Sequence, residues 1–227
     1  MKKLLIAIIL LLCSTVYAQS TEGTVSDFQN WMAISANAKV SDKWRTFAEV
    51  NPRIMDNSSR LGAAYVRPAI GYDITPNWTA WLGYVLQATN TASDNHYTLE
   101  NQSYEQITYR KTFDNLNIES RNAIEHRYLP SEVGHRSRNR IRGEYILPSQ
   151  TVWSLIGYDE VFVNFNDVAA SNVKSGISQN RAYVGIGYRF NPRVQLETGY
   201  LHQYVWVGTD YADQSNHVWS TALNLNF

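Results

Sequence analysis

Arg136, Arg138, Arg140 and Arg142 stand at alternate positions in RSRNRIRGEYIL, and the next member of that series is Glu144. On an extended strand this spacing puts every guanidinium on one face. Such a face suits a phosphate backbone, a phosphorylated ligand, or a ladder of carboxylates on neighbouring strands. The formal charge of the whole chain is zero, so the molecule as a whole is not built to bind nucleic acid. Other reactive residue types are scattered. His126, Ser131 and His135 lie near one polar connection, and Asp94 and His96 in another. They are the components a lipid-directed hydrolase would need, but no motif ties them together. The five histidines lack paired ligand spacing. Gly185-Ile186-Gly187 is a fragment of a dinucleotide loop with no helix after it, and reads as room beside Tyr183 and Arg189. No catalytic, cofactor-binding or metal residue is assigned from the sequence.

The elements that carry these residues begin with a leader. Lys2 and Lys3 precede an apolar run from Leu4 to Leu12, and Val16-Tyr17-Ala18 supplies small-residue cleavage chemistry. Residues 1–18 are therefore expected to be a secretory signal peptide, too short to span a bilayer. Its removal takes away two lysines and no acid, leaving 18 basic against 20 acidic residues. It also takes away Cys13, the only cysteine, which excludes a disulfide scaffold, an iron–sulfur site and a cysteine nucleophile.

Residues 19–227 read as one all-β domain. Aromatics make up 13% and charged residues only 18%, and no later segment approaches twenty consecutive apolar residues. Period-2 alternation recurs from end to end, as in Met32, Ile34, Ala36 and Ala38, or Ala80, Leu82, Tyr84 and Leu86. Short connections near 41–43, 73–77, 114–115, 148–150 and 191–192 alternate with longer ones near 55–60, 88–101, 129–135, 165–177 and 205–215. In an up-and-down meander that alternation puts all tight turns at one end and all long loops at the other, the plan of a transmembrane β-barrel. Trp44, Trp78 and Trp153 each follow a short turn, where an aromatic girdle belongs. The expected fold is an antiparallel up-and-down barrel of about 10–12 strands. Eleven segments can be counted, but single-chain bacterial barrels normally have an even number, which favours ten or twelve.

WMAISANAKVSDKWRTFAEV, GYDEVFVNF and QNRAYVGIGYRFNPRVQLETGYLHQY resemble the bacterial outer-membrane barrel family known as domain of unknown function 2490, in its bacteroidete-type form. Asp159-Glu160, Phe162, Asn164, Gln179-Asn180-Arg181 and Gly185 to Tyr188 carry the likeness best. The resemblance implies a single outer-membrane barrel and no established activity, so no functional residue is carried over from it. Phe227 ends an alternating Thr221, Leu223, Leu225 tail, the type of signal that outer-membrane insertion machinery reads.

Charge falls on the face expected to line the lumen, since Arg toward lipid near the midplane costs about 2–4 kcal/mol. Besides Arg45, Glu49, Arg67, Arg110 and Glu119, the predicted ladder comprises Arg121, Glu125, Arg127, Arg136, Arg138, Arg140, Arg142, Glu144, Glu160, Arg181, Arg189 and Glu197. Glu125 should lie opposite Arg136, Arg138 or Arg140, and Glu160 opposite Arg138 or Arg140. The ladder either fills a narrow barrel or leaves surplus arginine to favour passing anions. The functional expectation is a non-enzymatic protein of the outer membrane, a narrow pore or a structural barrel. It would partner lipid, the insertion machinery and small solutes, with no nucleic acid and no cofactor. The alternatives are a lipid-directed hydrolase, and an adhesin or receptor acting through its long loops.

Overall fold

A computed structural model describes residues 23–90, 96–130, 132–169, 173–207 and 212–227. The expected signal peptide with Cys13, and the candidate residues Asp94 and Ser131, lie outside them. Eleven strands follow one another: β1 (Thr24–Lys39), β2 (Trp44–Met55), β3 (Arg60–Asp73), β4 (Trp78–Asn90), β5 (Tyr97–Phe113), β6 (Leu116–Tyr128), β7 (Val133–Ile146), β8 (Trp153–Asn164), β9 (Gly176–Asn191), β10 (Val194–Val205) and β11 (Asp213–Asn226). Each pairs with the next, and β1 pairs with β11 to close the barrel. Among the described residues no helix is long and apolar enough to cross a membrane.

Eleven strands lie within the expected range of 10–12, at the odd number that the usual even count disfavours. With hairpins throughout, eleven strands leave the first and last running in the same direction, so the seam is parallel. It holds register from Thr24 against Asp213 to Asn37 against Asn226. The remaining neighbours are antiparallel. Several strands also reach further into the long-loop end than alternation alone implied. β5 begins at Tyr97 and β1 at Thr24, because polar Thr, Asn and Gln residues continue the ladder where apolar alternation has faded.

The turns follow from local chemistry. Asp114 takes a left-handed φ of 49° in the two-residue Asp114-Asn115 hairpin, a conformation Asp and Asn tolerate. Asp56, Asn57 and Ser58 are all left-handed, and the carboxylate of Asp27 on β1 accepts hydrogen bonds from the backbone N–H groups of Asp56 (3.1 Å) and Asn57 (2.7 Å). At the short-turn end, tryptophans pair across strands with tyrosines. Trp44 lies 5.1 Å from Tyr72, Trp78 4.7 Å from Tyr109, and Trp153 4.7 Å from Tyr188, ring centre to ring centre. These outward-facing pairs, with Trp44 and Trp78 the most exposed, stand where a transmembrane barrel carries an aromatic girdle.

Candidate functional site: the charged lumen

Strand alternation sends the even-numbered residues of β7 inward, and the ladder residues of β6, β8 and β9 join them. Register sets Glu125 opposite Arg136 and Glu160 opposite Arg140. Some ion pairs follow this register, as Arg136 with Glu125 and Arg181 with Glu160 do, and others run diagonally, because an arginine side chain reaches further than the spacing between strands. Arg138 on β7 reaches Glu160 on β8 through two hydrogen bonds (2.9 and 3.1 Å) and Glu125 at 3.4 Å. Arg121 on β6 reaches past β7 to the same Glu160 at 2.6 Å, and Arg181 on β9 approaches it at 3.4 Å. Arg136 is bonded to Glu125 at 2.5 Å.

The rest of the ladder is paired above and below this centre. Toward the long-loop end Arg127 holds Glu100 at 2.6 Å through a two-point contact. Toward the short turns Arg140 bonds Glu119, which also receives Arg110 at 2.8 Å. Arg142 bonds Glu197 at 2.8 Å, and Arg189 lies 3.6 Å from Glu144. Glu144 also accepts hydrogen bonds from Ser154 (2.9 Å) and Gln195 (2.8 Å). On the opposite wall Arg45 bonds Asp73 at 2.8 Å, and Arg67 stands 3.9 Å from Glu49.

Burial decides what this network does. Glu160 is 2% exposed and Glu125 3%, so charge at mid-lumen is sealed from water. Such charges persist only when paired and hydrogen-bonded, since ion desolvation in a protein interior costs several kcal/mol. Three guanidinium groups around Glu160 meet that need. The seal itself is aromatic. Phe162, two residues along β8 from Glu160, has no accessible surface, and Arg136, Arg138 and Arg181 lie 5.1, 5.1 and 4.8 Å from its ring centre. Arg181 also lies 5.0 Å from the ring of Trp31 on β1, whose other close cation is Arg53 at 3.7 Å. The guanidinium of Arg181 thus joins the β8 side of the lumen to the β1 side. Beneath it Tyr158 and Tyr183 stack at 4.8 Å, and the Tyr183 ring leaves no room for a Cβ at Gly185. At the long-loop mouth Val168, in the β8–β9 connection, is fully buried against the glycine face of Gly134.

The sequence pattern identified the charges but not the plug. Trp31, Arg53, Tyr65 and Phe162 were absent from the predicted ladder. Phe162 has the same parity as Glu160 on β8, which was signal enough for it, and Trp31 the same as Gln29, which becomes visible once β1 is extended to Thr24. The arginines outnumber their partners. Arg121, Arg136, Arg138 and Arg181 share Glu125 and Glu160, and Arg53 has no carboxylate partner among the described residues.

His126, the residue on which a hydrolase would turn, points away from this lumen. Its two ring nitrogens contact His135 (2.7 Å) and Glu105 (3.0 Å) on the outer face, while Ser103 shares a hydrogen bond with Tyr128. Neither His126 nor His135 bonds a serine among the described residues; the outer face does hold a Ser–His contact elsewhere, His202 on β10 with Ser215 on β11 at 3.0 Å.

Residues 28–216 match the model of a family described as a protein of unknown function, DUF2490. The chain belongs to this family. An uncharacterised protein of Methylorubrum extorquens (strain AM1) is 29% identical over 192 residues, covering 82% of each chain. Among solved structures the NanC porin aligns with a TM-score of 0.54 at 10% identity, over 88% of this chain and 99% of that one. At that identity the likeness concerns the fold: a porin-type barrel wall. The siderophore receptor PirA of Pseudomonas aeruginosa aligns at a TM-score of only 0.29, over 32% of its own length.

Proposed function

We propose that this DUF2490 chain is a non-enzymatic protein of the bacterial outer membrane whose lumen is held closed at mid-height. Its wall and its loops, rather than a standing aqueous passage, then carry its role. One observation supports this above the rest: Phe162, which projects inward from β8 among three arginines, has no accessible surface, and the neighbouring Glu160 is tied to three arginines. An aromatic ring and a saturated carboxylate at that level leave no continuous column of water. Outer-membrane residence is supported by the porin-like wall, the girdle of Trp–Tyr pairs, the expected export leader, and the alternating tail ending at Phe227. The partners that follow are outer-membrane lipid and the insertion machinery.

A second reading has its own observation. The central cluster holds more guanidinium than carboxylate, and Arg53 stands without an anionic partner among the described residues. A state in which the plug moves aside would therefore pass small anions in preference to cations.

Planar-bilayer recording tests both readings. Wild-type protein is expected to give a closed baseline, and a Trp31→Ala/Phe162→Ala variant discrete conductance steps with anion preference. Steady open-channel current from the wild type would overturn the closed lumen. Adding Arg138→Gln and Arg140→Gln to the opened variant should weaken its anion preference, and unchanged selectivity would remove the second reading.

A further inference from the structure

The outer surface of the barrel is not uniform around its girth. At the midpoint of each strand the outward-facing residues run Met32, Val50, Val66 and Tyr84 on β1 to β4, then Glu105, Asn122, Asn139 and Asp159 on β5 to β8. Val184, Tyr200 and Trp219 complete the ring on β9 to β11. Four consecutive strands therefore place an acid or an amide where a transmembrane barrel meets the hydrocarbon centre. Polar neighbours widen the patch: Ser120 bonds Asn122 at 3.1 Å and Ser137 bonds Asn139 at 3.2 Å. Among the described residues Asp159 receives the side-chain amide of Asn180, at 3.1 and 3.2 Å, and a carboxylate has lone pairs to accept more. Apolar positions bracket the patch, with Ile107, Ile118, Ile141 and Leu155 on the short-turn side and Ile124, Val161 and Val163 on the long-loop side. It is therefore not the polar rim of the barrel.

Hydrocarbon offers no hydrogen bonds, so a row of Asn, Asp and Glu facing it is costly unless another surface covers it. We infer that the β6–β8 wall is the contact surface for a second copy of this chain, arranged about a two-fold axis that runs along the membrane normal past Asn139. The chemistry of the patch selects this occupant. Under that axis β7 faces β7 and β6 faces β8 of the other copy. Asn139 and Ser137 then meet their own equivalents, and both residue types donate as well as accept. Asn122, an amide donor, meets the carboxylate lone pairs of Asp159 in the second copy, and the reciprocal contact forms at the same time. A lipid chain satisfies none of these groups. This inference stands apart from the closed lumen, because such a pair can form around an open or a closed barrel.

Cysteine cross-linking provides the test, since a residue on a two-fold axis bonds to its own copy. In a Cys13→Ser background, Asn139→Cys protein in native membranes is oxidised with copper phenanthroline, alongside Val66→Cys from the opposite wall. Most of the folded Asn139→Cys protein should shift to the mobility of a covalent dimer on a non-reducing gel, and Val66→Cys should remain monomeric. Heat-modifiable mobility verifies folding, and if Asn139→Cys fails to fold, Ser137→Cys on the same strand carries the same expectation. Equal dimer yield from the two walls, no dimer from the β7 cysteine, or an adduct with a different protein would each overturn the inference. An Asn139→Leu/Asp159→Leu variant should also lose the dimer in native mass spectrometry, and its persistence would have the same force.

Discussion

The strands β5 to β8 and the strands β1 to β4 obey the same alternation but face different environments. On β1 to β4 the outward positions at mid-strand are apolar or aromatic, and Val50, Val66 and Leu82 are about half exposed to the surroundings of the barrel. Inside, this half contributes rings: Trp31, Tyr65 and Trp81, with Arg67 and Glu49 as a loose pair at 3.9 Å. On β6 to β8 the inside is a dense ionic network, and the outside carries Asn122, Asn139 and Asp159. One half is a lipid wall backed by aromatics; the other is polar on both faces. Barrel geometry alone does not require this, because one outer face clad in aliphatic residues would serve every strand equally. The difference shows where the molecule spends binding chemistry that a bare wall has no use for.

Substitutions in the two halves should separate them. The largest effect is expected from Glu160→Ala, which leaves Arg121, Arg138 and Arg181 around an empty centre. Breaking a buried ionic cluster this way costs about 3–5 kcal/mol, read as a lowered urea midpoint by tryptophan fluorescence in detergent. A loss below about 1 kcal/mol would mean the network is not what stabilises the β6–β9 half. Next comes Val66→Arg on the lipid wall, with an expected cost of about 2–4 kcal/mol for a cation at the midplane. Asn139→Arg, at the same height on the polar wall, should cost clearly less in the same unfolding measurement; equal costs would erase the contrast between the walls. The smallest effect belongs to Asp56→Asn. It removes the Arg60–Asp56 pair at 2.6 Å in the exposed β2–β3 connection, worth about 0–1 kcal/mol. A larger loss would place structural weight in a loop that the comparison treats as neutral.

Much of this was legible in the chain itself. Alternation located the strands, alternation of short and long connections sorted their ends, and the parity of Arg136 to Glu144 sent those charges inward. Three features were not legible, for physical reasons. Pairing of β1 with β11 leaves no mark on either strand's hydrophobic pattern, so the parallel seam is visible only in the fold. The diagonal pairs depend on how far a guanidinium reaches, so Arg138 rather than the register partner Arg140 holds Glu160. Alternation turns Ser137 and Asn139 outward but does not give their height, because height in a tilted barrel depends on where the neighbouring strands begin and end.

The parallel seam has a consequence for the two ends of the polypeptide. Thr24 opens β1 at the long-loop rim, whereas β11 closes at Asn226 on the short-turn rim. A barrel with an even number of strands returns its chain to the rim it left. Here a peptide fused ahead of β1 and another fused behind β11 would emerge in different compartments. Joining the two ends for circular permutation would need a linker that threads the full height of the barrel, about 25 Å. The odd strand gives one polypeptide two addresses, and any tag placed on it reports the compartment of the end to which it is attached.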